Sequence, residues 1–422
     1  MGESSTNLIT ESRAHLWKHM DFMKLWFGQT ISEFGSQVTG LALPLTAVLF
    51  LHATANEMGI LKALQSVPFL FAFFAGVLSD RVRRRPLLVI ADSGRFVLLS
   101  LIPLVVLFHG LKMWVLFAVV FGVGCLTVLF DISYQSYLPS VVTSSALVEG
   151  NSKLETTRAV SGIVGPAITG VLVQWLTAPF ALLVDAGSYL VSVLSLVSIR
   201  SPETVPTSPN EQKIWMQIRE GLTFVVRHSF LRSIVITTAL GNFFSFGVTG
   251  AVMVLFAVRG IGMNASLLGV VYALDAIGAA AGAFTGGRLG KSVGVGWAII
   301  IAQISSTIGG LLLPLAHRPV LVGFSFYVAS GVLISFGAVA YNVNQVSARQ
   351  AITPPHLLGR MTASVRFIIW GIIPFGSLVG GILGSHIGLR STLAISAIGG
   401  ILPVLWAVFS SIRSMKSVEV SS

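Results

Sequence analysis

The chain has 422 residues, 54% apolar and only 10% charged, with a mean hydropathy of +0.85. Soluble domains carry roughly 25% charged residues, so a soluble enzyme, a disordered chain and a secreted disulfide scaffold are excluded. The single cysteine, Cys125, allows no intrachain disulfide, and the net charge of +11 needs a membrane explanation or a nucleic-acid one.

The residues before Phe22 are polar and lack the pattern of a cleaved signal, so the first apolar run reads as a retained helix. A span needs about 20 mainly apolar residues. The sequence predicts spans at 22–51, 58–79, 87–108, 112–136, 157–176, 179–199, 233–257, 265–287, 294–316, 319–343, 362–385 and 389–411. The expected organisation is a cytoplasmic segment 1–21, a six-helix half 22–199, a linker 200–232, a second half 233–411 and a tail 412–422. Ile214 to Val226 in the linker has the spacing of an interfacial amphipathic helix.

With the N-terminus inside, five of the 27 basic residues (Lys62, Lys112, Arg259, Arg318 and Arg390) fall at external connections or helix ends, leaving 22 inside. Positive residues collect on the cytoplasmic side. The charge therefore reads as topology, with both termini cytoplasmic in the cytoplasmic membrane, and no nucleic-acid partner is needed.

An offset of 210 residues aligns Val38-Thr39-Gly40 with Val248-Thr249-Gly250, Gly76 with Gly286, Gln135 with Gln345, Leu147 with Leu357 and Gly170 with Gly380. Six helices is an even number, so the halves are parallel repeats about an axis along the membrane normal. The expected fold is an all-α polytopic protein of two six-helix repeats around a central cavity.

Ionisable groups inside a membrane are functional by default. Glu33 lies near mid-membrane, with Gln29 and Gln37 on the same helix face at i−4 and i+4. It is a candidate for proton coupling or for a cationic substrate, the alternative being a protonated carboxyl bonded between helices. Asp275, three residues after Tyr272, is equally deep; Asp185 reads as structural. Asn242, with Ser245 and Thr249 at helical spacing, lines the cavity or bonds between helices.

At the end of the second span the chain reads Gly76-Val-Leu-Ser-Asp80-Arg81-Val-Arg83-Arg84-Arg85-Pro86. It resembles the G-x-x-x-D-R-x-G-R-R loop of the major facilitator superfamily, with Arg83 in place of the second Gly. The resemblance implies a conformational gate that stabilises the outward-open state, with Asp131 in the same network. Gly162-Ile-Val-Gly165-Pro166-Ala-Ile-Thr169-Gly170 in the fifth span is similar to the superfamily's antiporter motif, with Ser161 and Thr169 replacing two glycines; close helix packing explains the same residues. The run from Asp21 to Thr39, with Arg85 to Arg95, resembles the branch holding macrolide-efflux proteins and the enterobactin exporter.

The resemblance implies an exporter of amphipathic drugs or natural products, driven by protons and working as a monomer in the bilayer. A dedicated exporter of one metabolite, such as a siderophore, and a non-transporting sensor or assembly partner are the alternatives. No nucleotide, metal or catalytic motif is present, so neither nucleotide nor cofactor is expected.

Overall fold

The computed structural model describes residues 16, 19–142, 146–201, 203, 214–354 and 357–415. All described regular structure is helical: α1 (Met20–Leu45, continuing through a wide turn to Phe50), α2 (Ala55–Ser66, a tight turn Val67–Phe71, then Ala72–Arg81), α3 (Arg84–Leu107), α4 (Met113–Val141), α5 (Leu147–Leu176), α6 (Ala178–Ser198), α7 (Ile214–Arg227), α8 (Ser229–Ile261), α9 (Ala265–Val293), α10 (Val295–Leu315), α11 (Val320–Ile352), α12 (Leu358–His386) and α13 (Leu389–Phe409). Ten are long and apolar enough to cross a membrane, namely α3–α6 and α8–α13. Of the other long segments, α1 carries Gln29, Glu33 and Gln37 in its middle, and α2 is broken at Pro68.

Helix ends follow local chemistry. Thr54 and Glu57 form a reciprocal capping box at the start of α2, and Asn264 Oδ1 accepts from Leu267 N (2.9 Å) at the start of α9. Gly294 (φ 87°) and Gly388 (φ 85°) make the left-handed turns joining α9 to α10 and α12 to α13, a conformation glycine adopts without a Cβ clash.

The starts of α1 and α3 meet the end of α6. Lys24 Nζ donates to Ser198 O (2.7 Å) and Arg85 Nε to Leu196 O (2.8 Å). In the other half, Ser233 at the start of α8 bonds Ser411 just after α13 (3.2 Å). We call this side the terminal face and its opposite the far face. The linker is held at both ends here: Glu203 accepts from the backbone N–H groups of Arg84 and Arg85, capping α3, while Gly221 of α7 lies against Arg360 and Ser364 of α12 and Glu220 pairs with Arg360.

One buried apolar cluster joins the halves, and it lies at the far face. It holds the far ends of α1, α2, α4 and α6 together with Val252, Ile261, Leu268 and Leu313 of the second half. The clusters at the terminal face each belong to one half: Phe22, Leu88, Tyr137 and Leu196 in the first; Phe230, Ile299, Tyr341 and Ala407, then Val225, Leu231 and Met361, in the second. The halves are thus sealed at the far face and part towards the terminal face.

The seal is two equivalent seams. On α5–α9, Gly170 lies against Ala265 O and Gly269, and Pro166 O meets Gly269. On α2–α12, Gly381 lies against Ala55 O and Gly59, and Gly59 meets Ser377 O. Ala55 and Gly59 have their counterparts 210 residues on in Ala265 and Gly269, the offset read from the sequence. A Cβ on Gly59 would stand 2.6 Å from Ser377 O, so the approach requires glycine.

Candidate functional site

Three helices of the first half, α1, α4 and α5, bring charged side chains together. Glu33 Oε1 accepts from Gln29 Nε2 (3.2 Å) and pairs with Arg158 Nη2 of α5 (3.5 Å), which also meets Glu155 (3.2 Å). The Arg158 side chain is 58% exposed and Glu33 17%, so the guanidinium projects outward while the carboxylate sits behind it. Gln37, one turn further along α1, fills the space left by Gly165. Asp131 of α4 is exposed, and the charges acting on it are Arg95, Arg158, Glu33 and Asp92. Arg158 therefore pairs with Glu33 and Glu155 and also acts on the charge of Asp131. Sequence position makes Arg158 an inner-side charge at a helix start; the structure begins α5 at Leu147 and places Arg158 well inside it.

Asp275 occupies a different setting. It points across α9 at Gly331 of α11, and its Oδ1 is buried with no hydrogen-bond partner among the described residues. Tyr272, one turn earlier, packs against the far-face cluster. Asn242 is bound elsewhere, donating to Ile369 O of α12, and Thr249 bonds Ser396 of α13 (2.9 Å). Both lie in a wide-turn stretch of α8, Asn242–Thr249, whose side chains are shared among α2, α12 and α13.

The side chains of Asp80 and Arg81 lie outside the described residues. Arg85 is bound to the end of α6 through Leu196 O and Val197 O, Arg84 N is capped by Glu203, and among the described residues nothing lies within 4 Å of where a Cβ on Gly76 would be. Asp131 is placed with Arg95 and Arg158. In the fifth-span motif Gly165 accommodates Gln37, Pro166 and Gly170 form the inter-half seam, and among the described residues nothing lies within 4 Å of where a Cβ on Gly162 would be.

Two groups were not singled out from sequence. Asp92 and Arg95 form an ion pair inside α3, with side chains 0% and 5% exposed. The Arg95 guanidinium sits 4.4 Å from the ring centres of both Phe130 and Tyr189. Beyond it, Asp185 accepts from Thr39 and from Ser188 (3.0 Å), tying α1 to α6. The signal was available: two opposite charges at i, i+3 within a predicted span. Lys62 is the second. Expected at an external helix end, it lies instead inside α2, with its Cε 3.5 Å from where a Cβ on Gly250 of α8 would be.

Two helical halves, pseudo-symmetric seams and charged side chains facing a one-sided gap define a polytopic membrane transporter. Residues 13–422 match the family model described as transmembrane secretion effector, and the chain belongs to that family of the major facilitator superfamily. It is 24% identical over 360 residues to the enterobactin exporter EntS of Salmonella typhimurium, covering 81% of this chain and 80% of that one. It is 21% identical to macrolide efflux protein A of Streptococcus pyogenes, covering 90% and 93%. The match to the uncharacterised transporter YfiS of Bacillus subtilis, 24% identical, spans about half of each chain (52%). Among solved structures, the fold is similar to a point mutant of the nucleoside transporter NupG (TM-score 0.75, 12% identity, 92% of this chain and 99% of that one) and to a bacterial homologue of the lysosomal transporter Spinster (0.70, 13%, 94% and 98%).

Proposed function

We propose that the protein is a secondary exporter that moves amphipathic drugs or natural products out of the cell by alternating access, in exchange for protons. In this reading all twelve long segments, α1 and α2 included, cross the cytoplasmic membrane, with the terminal face in the cytoplasm. The concentration of basic residues towards that face supports the orientation. The relatives with exporter names support the direction of transport.

The observation that carries the proposal is the Glu33–Arg158 pair in a gap sealed at one face and parted at the other. In this arrangement the pair is the proton-released state: Glu33 is engaged by a guanidinium, and the gap is placed to load substrate from the cytoplasm. Substrate binding lets the halves rock at the glycine seams so that the far face opens; a proton arriving from outside then neutralises Glu33 and frees Arg158 to turn to Asp131, and substrate leaves. The protonated carrier returns to the present arrangement, and release of the proton inside restores the pair. Asp275, without a cationic contact among the described residues, is a second place where a proton is taken up, on the other half.

The test is uptake into inside-out membrane vesicles with an acid lumen, using a panel of amphipathic compounds. The proposal expects gradient-driven uptake of at least one compound, and its loss in Glu33→Gln with the fold intact. A panel in which nothing moves with the gradient, or an E33Q protein that transports normally, contradicts it.

A further inference from the structure

We infer that the apex of the gap, around Lys62, is a subsite for the anionic group of an amphipathic aromatic substrate. The inference rests on reading the gap as the transport cavity and names the class of compound it takes.

An ammonium inside a membrane-spanning segment is expensive unless something compensates it. Lys62 lies seven residues beyond Ala55, about 10 Å along the helix from its far end. Its contact within bonding distance is a neutral acceptor, Gln65 Oε1 at 3.1 Å, and among the described residues no carboxylate lies within ion-pair distance of it. Glu33, 17 residues from the far end of α1 at Phe50, lies about 25 Å along its helix from that end, far below Lys62.

Position makes this charge reachable from one side. Above it, towards the far face, Ala55 and Gly59 are closed against Gly381 and Gly384. Below it, the wall is aromatic: Phe69 of α2 stacks on Trp370 of α12 across the two halves (5.4 Å between centroids), Trp370 remains 45% exposed, and Phe246 lies one turn from Gly250 on α8 and is 53% exposed. A cation at the end of an aromatic-lined passage closed above it fits a molecule with an apolar ring body and a negative head. The repeat sharpens the assignment. The positions 210 residues after Lys62 and Gln65 are Tyr272 and Asp275, so the equivalent place in the second half carries a phenol and a carboxyl, and the cation belongs to one half alone.

Binding without transport tests this. The full chain is placed in lipid nanodiscs, and energy transfer from tryptophan is titrated with pyrenebutyrate, pyrenebutanol and pyrenebutylamine, subtracting empty nanodiscs. The expected result is that the anion binds about tenfold tighter than the alcohol or the amine. Lys62→Gln removes that preference while leaving the alcohol unchanged, and Lys62→Arg retains it. Equal binding of the three probes, binding of none, preference for the amine, or a preference that survives K62Q with K62R and wild type alike overturns the inference. Because no gradient is used, failure here leaves the vesicle result standing, and failure there leaves this one standing.

Discussion

At the residue scale the charges divide into those that hold the fold and those that face the gap. Asp21 belongs to the first kind. Its partial burial alone would raise the carboxyl, but hydrogen bonds from Ser201, Lys24 and the backbone N–H groups of Arg200 and Ser201 hold it down at about 2. A carboxyl depressed from 3.8 in the folded state stabilises the fold fully above about pH 4, and that contribution is lost as pH falls through about 2. Thermal unfolding in detergent should therefore find Asp21→Asn less stable than wild type at pH 7, with the two converging near pH 2; a gap that persists to pH 2 would contradict the assignment. The Asp92–Arg95 pair is buried in the same half. Arg95→Leu leaves a buried carboxylate without its cation, a change that costs about 3–5 kcal/mol. The double variant D92A/R95L should recover much of the loss, and unfolding titrations of the three proteins measure it. This pair was legible from its i, i+3 spacing inside an apolar span. The Glu33–Arg158 pair was not, because 125 residues separate its members and nothing in the sequence sets the register of α1 against α5.

At the element scale, hydropathy located the apolar part of each helix but not its ends. α5 starts at Leu147, ten residues before the predicted span, because Glu149, Lys153 and Glu155 continue the backbone ladder where the hydrocarbon ends. The breaks inside helices were equally hidden. α2 tightens at Val67–Phe71 around Pro68, and α12 is interrupted between Gly371 and Ile373 just before Pro374. Both breaks adjoin the point where Phe69 meets Trp370 and Leu70 meets Gly371. The glycine seams carry the closure of the far face. Gly269→Leu places a branched side chain against Pro166 O and Gly170. With Cys125→Ser and a single cysteine at Gln65, a membrane-impermeant maleimide added at the far face should react slowly in the parent and about tenfold faster with G269L, the change expected from roughly 1.4 kcal/mol of lost closure. Unchanged reactivity would place the seal elsewhere.

At the scale of the whole molecule, the 210-residue offset becomes a structural relation. The seams α5–α9 and α2–α12 exchange under it, and each half contributes one small-residue helix and one partner to the closure. Two rigid halves joined at matched seams can tilt without repacking their own interiors, since the terminal-face clusters belong to one half each. The linker fits this division: Glu203 is fixed to α3, and α7 is fixed to α12. What the sequence could not convey is which face is closed. Both arrangements bury the same small residues in part, and only the far-face cluster distinguishes them.

The central claim is that proton and substrate exchange the open face. Double electron–electron resonance on the C125S background tests it most directly. One spin-label pair sits at the far face, at Asn56 of α2 and Ser385 of α12, and the other at the terminal face, at Asn151 of α5 and Gly359 of α12. Without substrate at neutral pH the far pair should be short and the terminal pair long. Adding a transported substrate at neutral pH should lengthen the first and shorten the second together, and acid pH or Glu33→Gln should oppose that shift. Distances that do not move, or that move in the same direction at both faces, would contradict the account.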